Sequence, residues 1–333
     1  MRILIATDAW LPQTNGVVST LKQTMAQLKA RGHGVELLTP AQFRTFACPG
    51  YDEIRLSLGV QAGVAAQFDR FRPEAVHVAT EGPIGLAVRA YCRARRLLFT
   101  TSYHTQFPQY LRKRLPVPVT WSYALLRWFH CAGERCMVST PSMHRELEGR
   151  GFRNLVRWRR GVDSQLFRPR DKAFLDLPRP IAVYVGRLAV EKNLDAFLSM
   201  AWEGSKLVIG DGPDRARLAL RYPRACFVGF RHGEDLAQHM AAADVMVFPS
   251  LTDTFGLVNL EAMACGVPVA AFPVTGPVDV IDDGITGALD WDLAAAARRA
   301  LMISPGACRD RAEKSDWASC TREFEANLAP SGL

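Results

Sequence analysis

Two acids eight residues apart, Asp253 and Glu261, bracket a Thr254-Phe255-Gly256-Leu257 turn and the start of an apolar helix. A helix N-terminus gathers free backbone N–H groups and partial positive charge, so it suits a phosphate. Two flanking carboxylates can accept hydrogen bonds from sugar hydroxyls. An anion cradle beside hydroxyl acceptors is the chemistry of a nucleotide-sugar pocket. Two solvated acids on an ordinary loop and helix would show the same spacing. The run Glu261-Ala262-Met263-Ala264-Cys265-Gly266-Val267-Pro268-Val269 and the partner motifs weigh against that plainer reading.

The second cluster is Val185-Gly186-Arg187-Leu188-Ala189-Val190-Glu191-Lys192-Asn193. Arg187 leaves a strand end and Lys192 opens the next helix. Two cations converging on one point can neutralise a leaving diphosphate. No metal cofactor is expected. Ser102-Tyr103-His104-Thr105-Gln106 follows another strand end, which aims His104 at a ligand; a structural helix-capping His is the competing reading. His77 lies inside a strand and reads as core. Asn15-Gly16-Val17-Val18 joins the first strand to its helix, where Gly16 lets the backbone approach a ligand closely. Gly210-Asp211-Gly212-Pro213 reads as structural or near a nucleotide.

These residues need elements to hold them. Short apolar runs alternate with loops and amphipathic helices throughout. Strands are expected at 2–7, 35–39, 75–79, 98–103, 136–140, 181–185, 206–209, 226–228, 245–248 and 268–272. That grammar implies parallel sheets with helices on both faces. A length of 333 residues favours two domains. The Pro-bearing, charged segment 163–180 is the expected linker. The division is therefore 1–168 plus about 316–333, and 175–312. Ligands bind such sheets beyond the carboxyl ends of the strands, in a cleft that the motif loops would line.

Charge is unevenly distributed. Residues 1–172 hold 26 Lys and Arg against 12 Asp and Glu, net +14, whereas the remainder is net −6. An anionic partner for the first half follows, a membrane surface or a nucleic acid, against the plainer option of a solvated basic face. Segment 106–130 mixes Arg112, Lys113 and Arg114 with Trp121, Tyr123, Leu126, Trp128 and Phe129. Basic residues beside Trp and Tyr suit a membrane interface, and an inward-packed helix with a basic outer face is the alternative. No RNA- or DNA-binding motif appears, so nucleic acid is the weaker partner. Eight cysteines without CxxC pairs fit a reducing compartment and no structural zinc. The first residues enter a strand directly, without a signal-peptide cleavage pattern, so a cytoplasmic location is expected.

The paired-acid segment resembles the signature of family-4 retaining glycosyltransferases, in which two Glu flank seven residues; here the first acid is Asp253. The likeness covers about residues 2–300. It implies two doubly wound Rossmann-like domains facing a cleft, the GT-B fold. It also implies hexosyl transfer with retained anomeric configuration and no covalent intermediate. By resemblance Asp253 meets the donor sugar and Glu261 the ribose. Thr254, Phe255, Gly256 and Leu257 lie at phosphate and sugar, and Arg187 and Lys192 at the diphosphate. Gly16 faces donor and acceptor, His104 the transferred sugar, and Phe230 the nucleobase, although a packing aromatic fits Phe230 equally. The family often has a second glycine where this chain has Asn15. The Ser-Tyr-His-Thr segment and Trp158 to Asp163 are similar to bacterial and plastid lipid glycosyltransferases, the sulfolipid-synthase and mannosyltransferase group. A UDP-sugar donor, a diacylglycerol-like acceptor and peripheral attachment to the inner face of the cytoplasmic membrane follow as expectations, with GDP-mannose as the alternative donor. The last segment, 316–328, is expected to form a helix returning to the first domain.

Overall fold

The structure, a computed structural model, describes residues 1–13, 15–48, 51–112 and 118–333, without the side chains of 51–54 and 110–112. Lys113 and Arg114, and the side chain of Arg112, therefore lie outside the described residues. The chain divides into two compact units, Met1–Arg159 with Trp317–Leu333, and Arg160–Asp316. The division precedes the proline-bearing segment, because Val162 and Phe167 are buried in the core of the second unit. Arg309 also ties that segment down, donating to the Ser164 and Phe167 carbonyls.

In the first unit the strands are β1 Arg2–Ala6, β2 Gly34–Leu38, the hairpin β3 Arg44–Cys48 and β4 Tyr51–Leu58, β5 Ala75–Val78, β6 Thr100–Tyr103, β7 Arg135–Val138 and β8 Leu155–Arg157. The main sheet runs β2-β1-β5-β6-β7-β8, all parallel. The central strand β1 is apolar on both sides, as burial under two helix layers demands. Leu4 and Ala6 enter one core, Ile3 and Ile5 the other. The hairpin and β8 were not anticipated; Leu155–Arg157 pairs beyond β7 at the sheet edge. Only three residues long and half-buried, β8 offers little periodicity to read.

The second unit contains β9 Ala182–Val185, β10 Lys206–Ile209, β11 Cys226–Gly229, β12 Val245–Phe248, β13 Val269–Ala271 and β14 Gly287–Leu289. Their order is β11-β10-β9-β12-β13-β14, again parallel. In chain order this is the 3-2-1-4-5-6 arrangement of a dinucleotide-binding sheet. Val183 and Val185 enter one core and Ala182 and Tyr184 the other. Both units are thus doubly wound. Helix Trp317–Asn327 packs on the first unit, with Phe324 buried beside Ile3, Ile5 and Trp158. Among the described residues no helix is long and apolar enough to cross a membrane.

Candidate functional site

Strand order reverses in the second unit between β9 and β12, so the loops leaving their carboxyl ends diverge and open a crevice. Those loops carry Arg187 to Lys192 and Pro249 to Gly256. Arg187 follows β9 directly, on a backbone fixed from both sides. Gly186 N donates to the Ile209 carbonyl at 3.0 Å, Leu188 N to the Asp211 carbonyl at 2.9 Å, and the Tyr184 hydroxyl to the Arg187 carbonyl at 2.8 Å. The Gly210–Gly212 loop is the buttress. A Cβ on Gly210 would lie 1.9 Å from the Gly186 oxygen, and one on Gly212 2.3 Å from the Leu188 oxygen. The loop thereby packs against the backbone on both sides of Arg187.

Lys192 ends a 3-10 turn, Val190–Lys192, and its ammonium meets the Asp253 carboxylate. The two oxygens lie 2.6 and 2.8 Å from Nζ. Both side chains are mostly buried, so solvent screens the pair less than it would a surface pair. A cation and an acid read separately from the sequence are thus brought into direct contact. Asn193, held in the left-handed region, ties the turn to the same loop by donating to the Pro249 carbonyl at 3.1 Å.

Helix Leu257–Ala264 starts at Gly256 without a side-chain cap. Gly256 has φ +79°, and a Cβ there would meet Phe248 Cζ at 2.8 Å and Asn259 Nδ2 at 2.6 Å. Only glycine brings the chain into this helix so close to β12. Thr254 is buried, and Phe255 is half-buried against the core. Phe230 follows β11, is 47% exposed and stacks on His232 at 6.0 Å. It shares the carboxyl edge with Arg187 but stands at the far end of the sheet.

Gly16 and His104 lie in the first unit. Helix Gly16–Ala30 is capped by Asn15, whose side-chain oxygen accepts from Val17 N and Val18 N at 3.0 Å each. A second glycine could not provide that cap, so these two amides are already engaged. His104 is half-buried, with Nε2 2.8 Å from the Ser102 hydroxyl. Trp121, Leu125 and Trp128 are 72%, 58% and 52% exposed on one face of helix Val119–His130, while Tyr123, Leu126 and Phe129 are buried. Arg89 stacks on Trp128 at 3.5 Å.

The family profile for Glycosyltransferase Family 4 matches residues 14–166, and that for Glycosyl transferases group 1 matches 179–303. The chain is 30% identical to a GDP-mannose-dependent alpha-mannosyltransferase of Mycobacterium tuberculosis, over 87% of this chain and 83% of that one. The chain belongs to the family-4 glycosyltransferases. This glycosyltransferase is also 31% identical to the sulfoquinovosyl transferase SQD2 of Arabidopsis thaliana, over 84% of its own length, and spans 61% of that relative. Sucrose-phosphate synthase from Thermosynechococcus elongatus shares the fold, with a TM-score of 0.78 and 21% identity over 98% of this chain and 97% of that one.

In the glycosyltransferase Glu261 is half-buried, and burial pushes its carboxyl up to about 7 from an ordinary 4.5. The folded state therefore binds this proton more tightly than the unfolded chain. The associated stability is complete below about pH 4.5 and is lost as pH rises through about 7. Glu261→Gln should remove that slope. The melting temperature of the variant is expected to fall less than that of the wild type over this interval, and parallel curves would contradict it.

Asp8 was not among the residues read from sequence. It lies just beyond β1, next to β5 where strand order reverses in the first sheet. Its carboxylate accepts from Ile84 N at 2.8 Å, Gly85 N at 3.2 Å and the Thr80 hydroxyl at 3.0 Å. Burial raises its pKa, while those donors oppose the shift. An acid two residues past a central strand end was the signal available.

Proposed function

We propose that this glycosyltransferase moves a sugar from a nucleotide-diphosphate sugar, UDP-glucose or UDP-glucuronate in type, to a lipid hydroxyl such as that of diacylglycerol. The observation that carries the donor side is the Lys192–Asp253 pair at the β9/β12 reversal, beside a helix start without a side-chain cap. Arg187, Lys192 and the Gly256–Leu257 amides would take up the charge of the departing diphosphate. Asp253 would hold the sugar, and an ionised Glu261 the ribose hydroxyls. The acceptor hydroxyl attacks the anomeric carbon from the face the diphosphate leaves, its proton passing to a leaving phosphate oxygen, so configuration is retained. The positive charge supplied by these side chains makes a metal unnecessary for that step.

The exposed Trp121–Leu125–Trp128 face beside Arg89 supports the lipid acceptor. Indole rings sit at the headgroup level of a bilayer while arginines meet anionic lipids. Attachment to the inner face of the cytoplasmic membrane belongs to this reading. Replacing both Trp121 and Trp128 by alanine is expected to reduce binding to vesicles containing anionic lipid roughly tenfold or more, at about 1–2 kcal/mol of interfacial transfer lost per ring. Unchanged sedimentation with vesicles would remove the membrane from the account.

A GDP-mannose-dependent alpha-mannosyltransferase acting on another lipid or a polysaccharide is the second reading. The mycobacterial relative, covered over 83% of its length, favours it. Thermal shift separates the two, because only the nucleotide that binds stabilises the folded state. UDP is expected to raise the melting temperature; a shift with GDP alone selects the mannosyl reading.

A further inference from the structure

The loop that carries Asp253 leaves β12 between two neighbours, because the strand order there is β9-β12-β13. From the β9 side Lys192 holds the Asp253 carboxylate. On the β13 side the chain continues from Phe272 to the turn Pro277–Val280, and Gly276 is buried against the backbone of the Asp253 loop. A Cβ on Gly276 would lie 2.6 Å from the Asp253 carbonyl oxygen, 3.3 Å from the Thr254 carbonyl carbon and 3.3 Å from Phe255 N. Two successive peptide planes of the loop therefore rest on the α-carbon of residue 276. Its φ of +95° is one that L side chains rarely adopt. The turn that follows holds it there. Asp279 N donates to the Gly276 carbonyl at 3.0 Å and Ile281 N to the Pro277 carbonyl at 2.9 Å, and Pro277 and Val280 are buried.

We propose that Gly276 is a positioning residue for Asp253. It sets how far the loop of this acid approaches β13, and so where the carboxylate stands relative to Lys192 and the donor sugar. A methyl group at 276 would have to push the Asp253 oxygen back by about 1 Å to reach ordinary contact. The peptide bond is planar, so that oxygen cannot retreat alone. The Asp253–Thr254 plane tilts with it, and the Asp253 α-carbon and side chain follow. The atoms met are all backbone, so no side-chain rotation relieves the contact. A misplacement of about 1 Å at a reacting site costs on the order of 10²-fold in rate. The acid is thus held by its side chain from one neighbouring loop and by its backbone from the other.

This inference rests on the reading of Asp253 as the acid that holds the donor sugar, and the test separates the two. Asp253-Thr254 is the single Asp-Thr step in the sequence. Labelling the full chain with 13C-carbonyl aspartate and 15N-threonine therefore isolates one amide resonance, that of a peptide resting on Gly276. Gly276→Ala is expected to move this resonance. Turnover is followed with whichever of UDP-glucose, UDP-glucuronate and GDP-mannose is consumed in diacylglycerol-containing vesicles. Gly276→Ala should lower kcat roughly 10- to 100-fold, while affinity for the matching nucleoside diphosphate changes no more than about threefold. Added to Asp253→Asn it should cost little more than Asp253→Asn alone, because the acid it positions is already gone. Gly284→Ala is the control for backbone conformation, since Gly284 has φ +78° and no atom within 4 Å of its Cβ position. That variant should lose melting temperature and keep the resonance and kcat. Should Gly276→Ala not fold, Pro277→Gly answers in its place. It releases the fixed φ beside Gly276 without adding an atom against the loop, and is expected to move the same resonance and lower kcat several-fold. A Thr254 resonance and kcat at wild-type values in the folded variant, or losses from Gly276→Ala and Asp253→Asn that simply multiply, overturn the proposal. Full turnover by Asp253→Asn, with the resonance still moved by Gly276→Ala, would instead overturn the role of Asp253 and leave the contact standing.

Discussion

Arg187→Ala should lower kcat by roughly 10²–10³ with little change in melting temperature, the loss typical of removing one preorganised charge-stabilising donor. The separation of activity from stability comes from the backbone. The carbonyl of residue 187 accepts from Tyr184, and its neighbours bond the β10 end and the Asp211 carbonyl through main-chain atoms. These main-chain contacts do not need the guanidinium and persist when it is removed. Donor KM should move only a few-fold, because charge on the bridging oxygen grows most as the glycosidic bond breaks. Arg187→Lys should recover only part of the loss, since an ammonium lacks the planar fork that grips two phosphate oxygens. Unchanged kcat in Arg187→Ala would remove phosphate neutralisation at this position.

Asp253→Asn should divide binding from transfer. Both carboxylate oxygens lie within 2.8 Å of Lys192 Nζ, so a diphosphate must share or displace that acid. Asparagine keeps the shape and removes the charge. UDP is then expected to bind as tightly as before or more tightly. Transfer should fall about 100-fold, because the amide replaces a charged acceptor of the sugar hydroxyls. The unliganded variant should lose roughly 1–3 kcal/mol, since Lys192 is left partly buried without its counter-ion. UDP should restore part of that stability. The contradicting result is a parallel fall in UDP affinity and kcat, which would make Asp253 a support for Lys192 and nothing more.

The segment around Asp253 was legible because its signals are local. A strand, a loop acid, a left-handed glycine and an apolar helix follow one another in twelve residues, Phe248 to Asn259, and each has its own residue chemistry. The alternation of strands and helices likewise announced two doubly wound sheets. What could not be read depends on strand order. Lys192 and Asp253 are 61 residues apart, and only the adjacency of β9 and β12 makes them a pair. His77 was read as core, and it is buried. That both its nitrogens are bonded follows from the β5/β6 register, which the sequence does not state. The hairpin β3–β4 and the short β8 escaped because few of their positions are buried in an alternating pattern. Asn15 was visible as a substituted glycine, but its action as a cap depends on where helix Gly16–Ala30 begins.

The most direct test of the account is a donor screen read by mass. The full chain is incubated with UDP-glucose, UDP-glucuronate or GDP-mannose and vesicles containing diacylglycerol and anionic lipid, and the extracted lipids are weighed by mass spectrometry. The predicted result is a lipid heavier by one sugar residue, with the anomeric configuration of the donor preserved and its rate of formation reduced roughly 10²–10³-fold with Arg187→Ala. Recovery of all three donors and of unmodified lipid, or a product of inverted configuration, would contradict it.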